Sequence, residues 1–432
     1  MRLPGRIAAA IEVLADMERR KRPASEALKS WALDHRFAGA GDRAAIGNLV
    51  YDALRKRASH AHRMGADTPR ALVLSVVVND WNQDINALNQ DFSTDKFAPE
   101  SISQAEAASL SNDSAFSDAP DHVRADVPQW LAPELEKAFG KDWIAQGQGM
   151  TLRPPLDMRV NRLKSDRARV EKSLSRFAPQ HTAIAPDGLR LPSGPAGART
   201  ANVQADEGYQ KGWFEVQDEG SQIVAALSGV QSGDQVLDLC AGAGGKALAM
   251  AAQMTNSGQI FAYDADRTRL APIHERLKRN GVRNVQVRNP DPGALDDLLG
   301  KMDRVVIDAP CTGTGTWRRR PDTKWKLTPA QLEARVADQI AVLDEAVRFV
   351  EPGGEIIYIT CSILPQENDE QVAAFLARHP AFEQISLIER WKTLFPDAPE
   401  PFFGPGGSVT LTPARTGTDG FFCAALRSRP VG

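Results

Sequence analysis

Cysteine is scarce in this chain: four residues in 432, at Cys240, Cys311, Cys361 and Cys423. No two of them stand in a C-x-x-C spacing, which argues against a structural zinc site, and no metal ligand set is expected. Thiols so few and so widely spaced suit a reducing compartment better than a disulfide framework. Long apolar runs are also missing. No stretch approaches the roughly 20 apolar residues that a membrane helix needs. Met1 to Arg6 leads straight into an amphipathic pattern, so no secretory signal is expected. The expectation is a cytoplasmic monomer. An excess of one charge is absent too, the net charge being −3, and bulk charge therefore announces no polyanionic partner. Its distribution is uneven, however. Residues 79–122 hold 9 acidic side chains against Lys96 alone, and residues 150–176 hold 8 basic against 3 acidic. A basic stretch of that kind can serve one face of a polyanion whatever the total.

What is present falls into regions of different texture. Ile7, Ala10, Ile11, Leu14 and Met17 recur at helical spacing, which predicts an amphipathic helix. A second helix is expected over Ser25–Leu33. A third is expected with Asp42 as its cap, running through Ile46, Leu49, Val50 and Leu54. This gives a helical bundle over residues 1–85. Residues 86–125, rich in Ser, Ala, Asp and Asn, read as an acidic linker or weakly packed insertion. Residues 126–210 read as a small α/β module of ferredoxin-like size: a strand through Met158, Val160 and Leu163, a helix over Arg167–Phe177 and a strand over Gly188–Leu191. From residue 211 to 432 short Val- and Ile-rich runs alternate with helices. The runs are Gln235–Asp238, Gln259–Asp264, Val285–Arg288, Arg304–Asp308 and Glu355–Thr360. That alternation predicts βαβ units, a parallel sheet and a Rossmann-like α/β fold. One helix is signposted by Thr328 as cap, Pro329 at its first position and Gln331 three residues past the cap.

Ligands of such sheets bind at the carboxyl ends of the strands. The first of these strands ends in Asp238-Leu-Cys240-Ala241-Gly242-Ala243-Gly244-Gly245-Lys246. Its glycines permit a tight turn and close approach to a ligand, and a helix follows with free N–H groups. The second ends near Asp264, a carboxylate suited to two ribose hydroxyls. The loop matches neither phosphate-binding pattern, and Asp-x-x-x-Gly-x-Gly suits S-adenosylmethionine, which carries no phosphate. The fourth strand ends in Asp308-Ala-Pro-Cys311 and the fifth in Thr360-Cys361-Ser362. Two thiols thus emerge at the edge that carries the glycine loop. A thiol beside a methyl donor fits methylation of cytosine carbon 5: a thiolate added at carbon 6 makes carbon 5 enamine-like, and an acid such as Asp308 can hold N3.

The runs D-L-C-A-G-A-G-G-K, D-A-P-C-T-G-T-G-T-W-R-R-R-P-D-T-K-W, T-C-S-I-L-P-Q-E-N and D-G-F-F (Asp419–Phe422) together resemble the Sun (Fmu) family of RNA cytosine-5 methyltransferases, and within it the bacterial 16S ribosomal RNA methyltransferase B group. They span the chain from about Phe214 to Leu426. The resemblance implies a class I S-adenosylmethionine-dependent methyltransferase sheet behind an all-helical, NusB-like RNA-binding domain. Ala38–Arg43 and Leu49–Arg55 match that domain's pattern. It implies Cys361 as the nucleophile, Cys311 as the thiol that assists release, and Asp308 as a contact to cofactor and base. Cys240 to Lys246 and Asp264 line the cofactor, with Arg269 beside them or solvated. The family usually has an aspartate after the third strand, where this sequence reads Arg288-Asn289-Pro290-Asp291, so Asn289 or a shifted Asp291 takes the adenine side.

Arg318, Arg319 and Arg320, with Lys324 and Lys326, follow the Cys311 loop and read as phosphate contacts for RNA. Trp317 is read as stacking on a base or packing, and Asn161 on the basic stretch is given no RNA role by the sequence. The substrate is expected to be ribosomal RNA, with transfer RNA, or a weakly active RNA-binding assembly factor, as the alternatives.

Overall fold

The computed structural model describes residues 1–112, 114, 116–199 and 201–429. Asp113 and Ala115 of the acidic stretch lie outside the described residues. Two compact units are formed. One comprises residues 1–154, 193–200 and 317–326, and the other residues 155–192, 201–316 and 327–432.

The first unit is helical. Leu3–Arg20 buries Ile7, Ala10, Leu14 and Met17, the stripe its spacing predicts. Ala24–Asp34 follows after Pro23. The third helix, Ala40–Arg55, starts earlier than Asp42. Asp42 therefore sits inside the first turn, where its carboxylate accepts the Gly39 N–H at 3.2 Å. Arg57–Met64 and Pro69–Ser75 complete the core. The acidic stretch is folded onto it. Ile85–Thr94 and Gln104–Leu110 are helices, and Leu88, Phe92, Ile102 and Leu110 are buried in the same cluster as Leu14 and Leu49. Polar composition hid four apolar residues spaced to reach one core. Segment 317–326 belongs to this unit as well: Trp325 packs against that cluster and donates to Leu54 O at 2.6 Å.

The second unit holds two sheets. The smaller is built from β1 (Leu156–Val160), β2 (Gln180–His181), β3 (Gly188–Leu191) and β4 (Phe214–Val216), in the antiparallel order β2-β3-β1-β4. Met158, Val160, Leu189, Leu191 and Phe214 close on Val170 of the helix Arg167–Ser173.

The larger sheet contains β5 (Gln235–Asp238), β6 (Gln259–Tyr263), β7 (Val285–Arg288), β8 (Met302–Asp308), β9 (Val350–Thr360), β10 (Phe382–Ile385), β11 (Phe402–Phe403), β12 (Val409–Leu411) and β13 (Phe421–Ser428). Its order is β7-β6-β5-β8-β9-β13-β12-β11, with β10 also on β13. The first five are parallel, and β13 runs antiparallel to β9. Strand β9 displays the logic. Alternate residues of a strand face opposite sides; Ile357 and Ile359 enter one core, and Ile356 and Tyr358 the other. A strand covered on both faces is apolar throughout, as Ile356–Ile359 is. The signposted helix is Pro329–Ala346, and Thr328 and Gln331 exchange side-chain and backbone hydrogen bonds at its start, at 3.3 and 3.0 Å. Chain direction across the sheet reverses at β5, whose neighbours are β6 and β8. A crevice opens at such a switch point, outside the carboxyl ends of the strands.

Candidate active site

The residues singled out in the sequence stand around that crevice. After β5 the chain turns through Gly242 and Gly244, with φ of +50° and +81°, into the helix Gly245–Gln253. At Gly244 a side chain would be strained in backbone and would also strike Ile273 at 2.6 Å. Asp264, 3% exposed, ties the loop down: Oδ2 accepts the Gly242 N–H and Oδ1 the Asp266 N–H, each at 2.9 Å. Arg269 lies 3.6 Å from Asp264 while remaining largely exposed. Asn289 follows β7 directly and is exposed, whereas Asp291 is engaged by Arg267 at 2.8 Å.

Beneath the loop lies a group of buried charges. Lys246, from the first turn of the helix, donates to Asp308 at the end of β8, at 2.6 Å. Burial works against the lysine's charge, yet Asp308 holds its ammonium above the ordinary lysine range. Asp238 is fully buried. Neither of its oxygens makes a hydrogen bond of normal geometry, although the Ala247 N–H faces it. Burial, together with the charges of Asp308 and Asp264, pushes its carboxyl up to about 7 against the pull of Lys246. Cys240 is likewise raised, first by burial and then by the surrounding carboxylates.

The two thiols meet. Cys311 Sγ and Cys361 Sγ are 3.3 Å apart, and both residues are partly buried. The hydrogen bond with Cys361 and burial, with the charges of Cys361 and Glu367, hold the Cys311 thiol well above the ordinary range. Cys423 is elsewhere in the core, pushed up to about 12 by burial. The loops are held by backbone: the Gly315 N–H donates to Cys361 O at 2.9 Å, and the Gly420 N–H to Gly315 O at 2.8 Å. The D-G-F-F run thus braces the Cys311 loop. A Cβ on Gly315 would stand 2.1 Å from Gly420 O.

Other expected contacts are placed differently. Lys324 is wholly enclosed and donates to Arg55 O at 2.8 Å; burial pushes it down to about 8. Arg318 is 3% exposed, and its carbonyl accepts from Arg55 at 2.8 Å. Both are corrected from phosphate contacts to buried members of the helical unit, since a cation without solvent access cannot meet a phosphate. Arg319 is half-buried and Arg320 exposed. Trp317 packs in the interior. Asn161 is a buried brace, donating to Gly212 O and Asn280 O at 2.8 and 2.9 Å. Glu367, quoted within T-C-S-I-L-P-Q-E-N but given no role, is fully buried between the two cysteine loops. Its signal was a carboxylate six residues past a thiol at a strand end.

The family model described as 16S rRNA methyltransferase RsmB/F matches residues 225–427, and the model for the ferredoxin-like domain of RsmF/B-like methyltransferases matches residues 127–196. Ribosomal RNA small subunit methyltransferase B of Enterobacter sp. (strain 638) is 36% identical over 306 residues, 69% of this chain and 66% of that protein. The chain belongs to the Sun (Fmu) family of RNA methyltransferases. Another relative, the probable ribosomal RNA small subunit methyltransferase B of Bacillus subtilis (strain 168), is 32% identical over 309 residues. The match spans 66% of the length of either relative, just under two thirds. Among solved structures, the crystal structure of PH0851 is alike in fold over 99% of both chains, with a TM-score of 0.72 at 24% identity. A methyltransferase homolog protein from Pyrococcus horikoshii has a TM-score of 0.58 at 25% identity, over 71% of this chain and 97% of that one.

The fold is that of a class I methyltransferase, whose cofactor is S-adenosylmethionine. The residues fit it. At Gly244 the turn excludes a side chain, which lets backbone lie close to a ligand. Each Asp264 oxygen is engaged by one N–H in the described hydrogen bonds and keeps a lone pair for a hydroxyl. The orphaned Asp238 and the Asp308 carboxylate supply negative charge for a cationic cofactor.

Proposed function

We propose that this protein methylates carbon 5 of a cytosine in RNA, with 16S ribosomal RNA as the substrate, through a covalent bond from Cys361 to carbon 6. The observation that carries the reading is the 3.3 Å approach of two sulfurs, contributed by the ends of adjacent parallel strands, beside Asp308 and Lys246. The bound cofactor would supply an electrophilic methyl group, held by residues 240–246, Asp264 and Asn289. Addition of the Cys361 sulfur to carbon 6 turns carbon 5 into a nucleophile. Asp308, oriented by Lys246, hydrogen-bonds N3 and stabilises the adduct's ring. After transfer a base, water in the open crevice, takes the carbon-5 proton. The electrons of that bond re-form the carbon 5–carbon 6 double bond, the carbon 6–sulfur pair leaves on the Cys361 sulfur as thiolate, and Cys311, the thiol held protonated, gives its hydrogen bond to that sulfur. The exposed Arg320 and, separately, the basic stretch of the small α/β module are RNA contacts in this reading. The helical region of residues 1–85 adds RNA affinity, and the enzyme works as a cytoplasmic monomer.

The test is transfer of tritiated methyl groups to cytosine in RNA. Cys361→Ala abolishes it; full activity in that variant would refute the nucleophile. Cys311→Ala traps a protein–RNA adduct on a denaturing gel, and normal turnover without adduct removes Cys311 from the mechanism. Bisulfite sequencing of total RNA with and without the gene assigns ribosomal or transfer RNA. The exposed Asn289, in place of the family's aspartate, favours a second reading as an assembly factor of low activity. Calorimetric titration with no cofactor binding at millimolar concentration would select it.

A further inference from the structure

We propose that Glu367 is the positioning residue of the transfer: one buried carboxylate clamps the Cys311 loop to the Cys361 loop and so sets the spacing of the two sulfurs. The proposal rests on the reading of Cys361 as nucleophile and Cys311 as its partner, and it adds the part that keeps them paired.

Glu367 closes the short turn Pro365–Glu367 after β9 and has no exposed surface. Its Oε1 accepts the Thr312 N–H at 2.8 Å and the Gln339 side-chain amide at 3.0 Å. Its Oε2 accepts the hydroxyls of Thr312 and Ser362. Thr312 adjoins Cys311, and Ser362 adjoins Cys361. The residue's carbonyl accepts the buried Tyr358 hydroxyl at 2.7 Å, which fixes the turn to β9 itself. Thr314 and Ser362 hydroxyls stand 2.9 Å apart, and the Ile363 and Leu364 N–H groups donate to them at 2.9 and 3.1 Å. Those incoming donors orient the hydroxyl hydrogens, so Ser362 is left to donate to Glu367. Gln339 also donates to Pro310 O at 3.0 Å, tying the helix Pro329–Ala346 into the same clamp.

All four contacts on the carboxylate come from donors, and a carboxylate has four acceptor positions. Glutamine at this site would offer only one oxygen. Its NH2 group would face two hydroxyls already set to donate, and the arrangement would have to invert. Glu367 does not touch the sulfurs, and its action on them passes through Thr312 and Ser362. It also acts by charge. Cys311 feels the charges of Cys361 and Glu367, whereas the Lys246 ammonium interacts with Cys361. A negative charge on the Cys311 side favours that thiol as the proton-bearing partner and leaves Cys361 to attack.

The full-length chain carrying Glu367→Gln, an isosteric change, separates this from a purely structural role. The expected result is a fall in kcat of about 10- to 100-fold, the cost of disordering charge-assisted hydrogen bonds, with KM for RNA within about twofold because RNA does not meet Glu367. Iodoacetamide labelling without RNA, mapped by mass spectrometry, should favour Cys361 over Cys311 in the wild type and lose that preference in the variant. Unchanged kcat with unchanged labelling preference overturns the proposal, as does a loss confined to KM. Should Glu367→Gln fail to fold, Thr312→Val removes one arm of the clamp, with a smaller fall in kcat expected and an unchanged kcat overturning it. The labelling is read without substrate. A wild type that labels selectively but transfers no methyl to cytosine would sink the functional reading and leave the positioning role standing.

Discussion

Replacing Asp238 by Asn should stabilise the ligand-free protein at high pH and leave it nearly unchanged in acid. Asp238 is fully buried and lacks well-formed hydrogen bonds, and burial with two neighbouring carboxylates raises its carboxyl from 3.8 to about 7. The folded state therefore binds the proton more tightly than the unfolded chain does. Below about pH 4 both states are protonated and folding pays nothing for the charge. As pH rises from 4 to 7 the unfolded chain ionises while the folded site resists, so stability falls, and above about pH 7 the whole penalty is present. At about 1.4 kcal/mol per tenfold change in affinity, the raised carboxyl corresponds to about 4 kcal/mol. Asparagine keeps the shape and an acceptor for the Ala247 N–H but has no charge to bury. With about 2 °C of melting temperature per kcal/mol for a large domain, Asp238→Asn should melt about 8 °C above wild type at pH 8. The gap should shrink to less than half by pH 5. The assay is a thermal melt of both proteins at half-unit pH steps, in which titrating groups not coupled to Asp238 cancel in the difference. A constant difference across pH would refute the reasoning. The cationic cofactor sharpens it: binding near pH 7 should release a proton from wild type and none from the variant, read by calorimetry in two buffers of different ionisation enthalpy.

Other consequences are as direct. Gly315→Ala places a methyl 2.1 Å from Gly420 O, against backbone that cannot yield cheaply. Transfer should fall at least about 10-fold and stability by about 1–3 kcal/mol, by analogy with overpacked cores, as measured by methyl transfer and urea unfolding. A wild-type-like Gly315→Ala would show that the D-G-F-F brace is unimportant. Lys324→Ala and Arg320→Ala should part ways. The first removes an enclosed side chain and its bond to Arg55 O, lowering stability by about 2–4 kcal/mol with RNA affinity held. The second should weaken RNA binding and flatten its salt dependence by about one ion with the melting temperature unchanged. The reverse pattern, in filter binding and melts, would restore Lys324 to the RNA surface.

The sheet was legible because its information is local. Strands β5 and β7 match the predicted bounds to the residue, and Thr328 and Gln331 form the capping exchange their spacing promised. The crevice residues were legible for a related reason. Strand ends put Asp238, Asp264, Asp308, Cys311 and Cys361 at one edge, whatever the helices between them do. What escaped is tertiary. Burial of Lys324 depends on Arg55, 269 positions away in sequence, and a surface loop with three arginines looks identical to an anchoring one until its partner is known. Glu367 escaped because its work is to accept hydrogen bonds from residues up to 55 positions away, which leaves no periodicity. The acidic stretch deceived by composition. Leu88, Phe92, Ile102 and Leu110 are few, yet four buried side chains suffice to dock two short helices.

The membership of residues 317–326 in the helical unit bears on how this polypeptide can be taken apart. Arg55 donates to Arg318 O, Lys324 returns a bond to Arg55 O, Trp325 caps Leu54 O, Lys326 reaches Arg22 O, and the Ala24 N–H is met by Asp322. An N-terminal fragment ending at residue 154 would surrender these donors and acceptors together with a tryptophan from its core. A C-terminal fragment would carry a ten-residue stretch of apolar and basic side chains with nothing to fold against. The helical region is thus no detachable appendage. Its last piece is made by the ribosome more than 100 residues after the rest, and its interior is complete only once that piece has been translated.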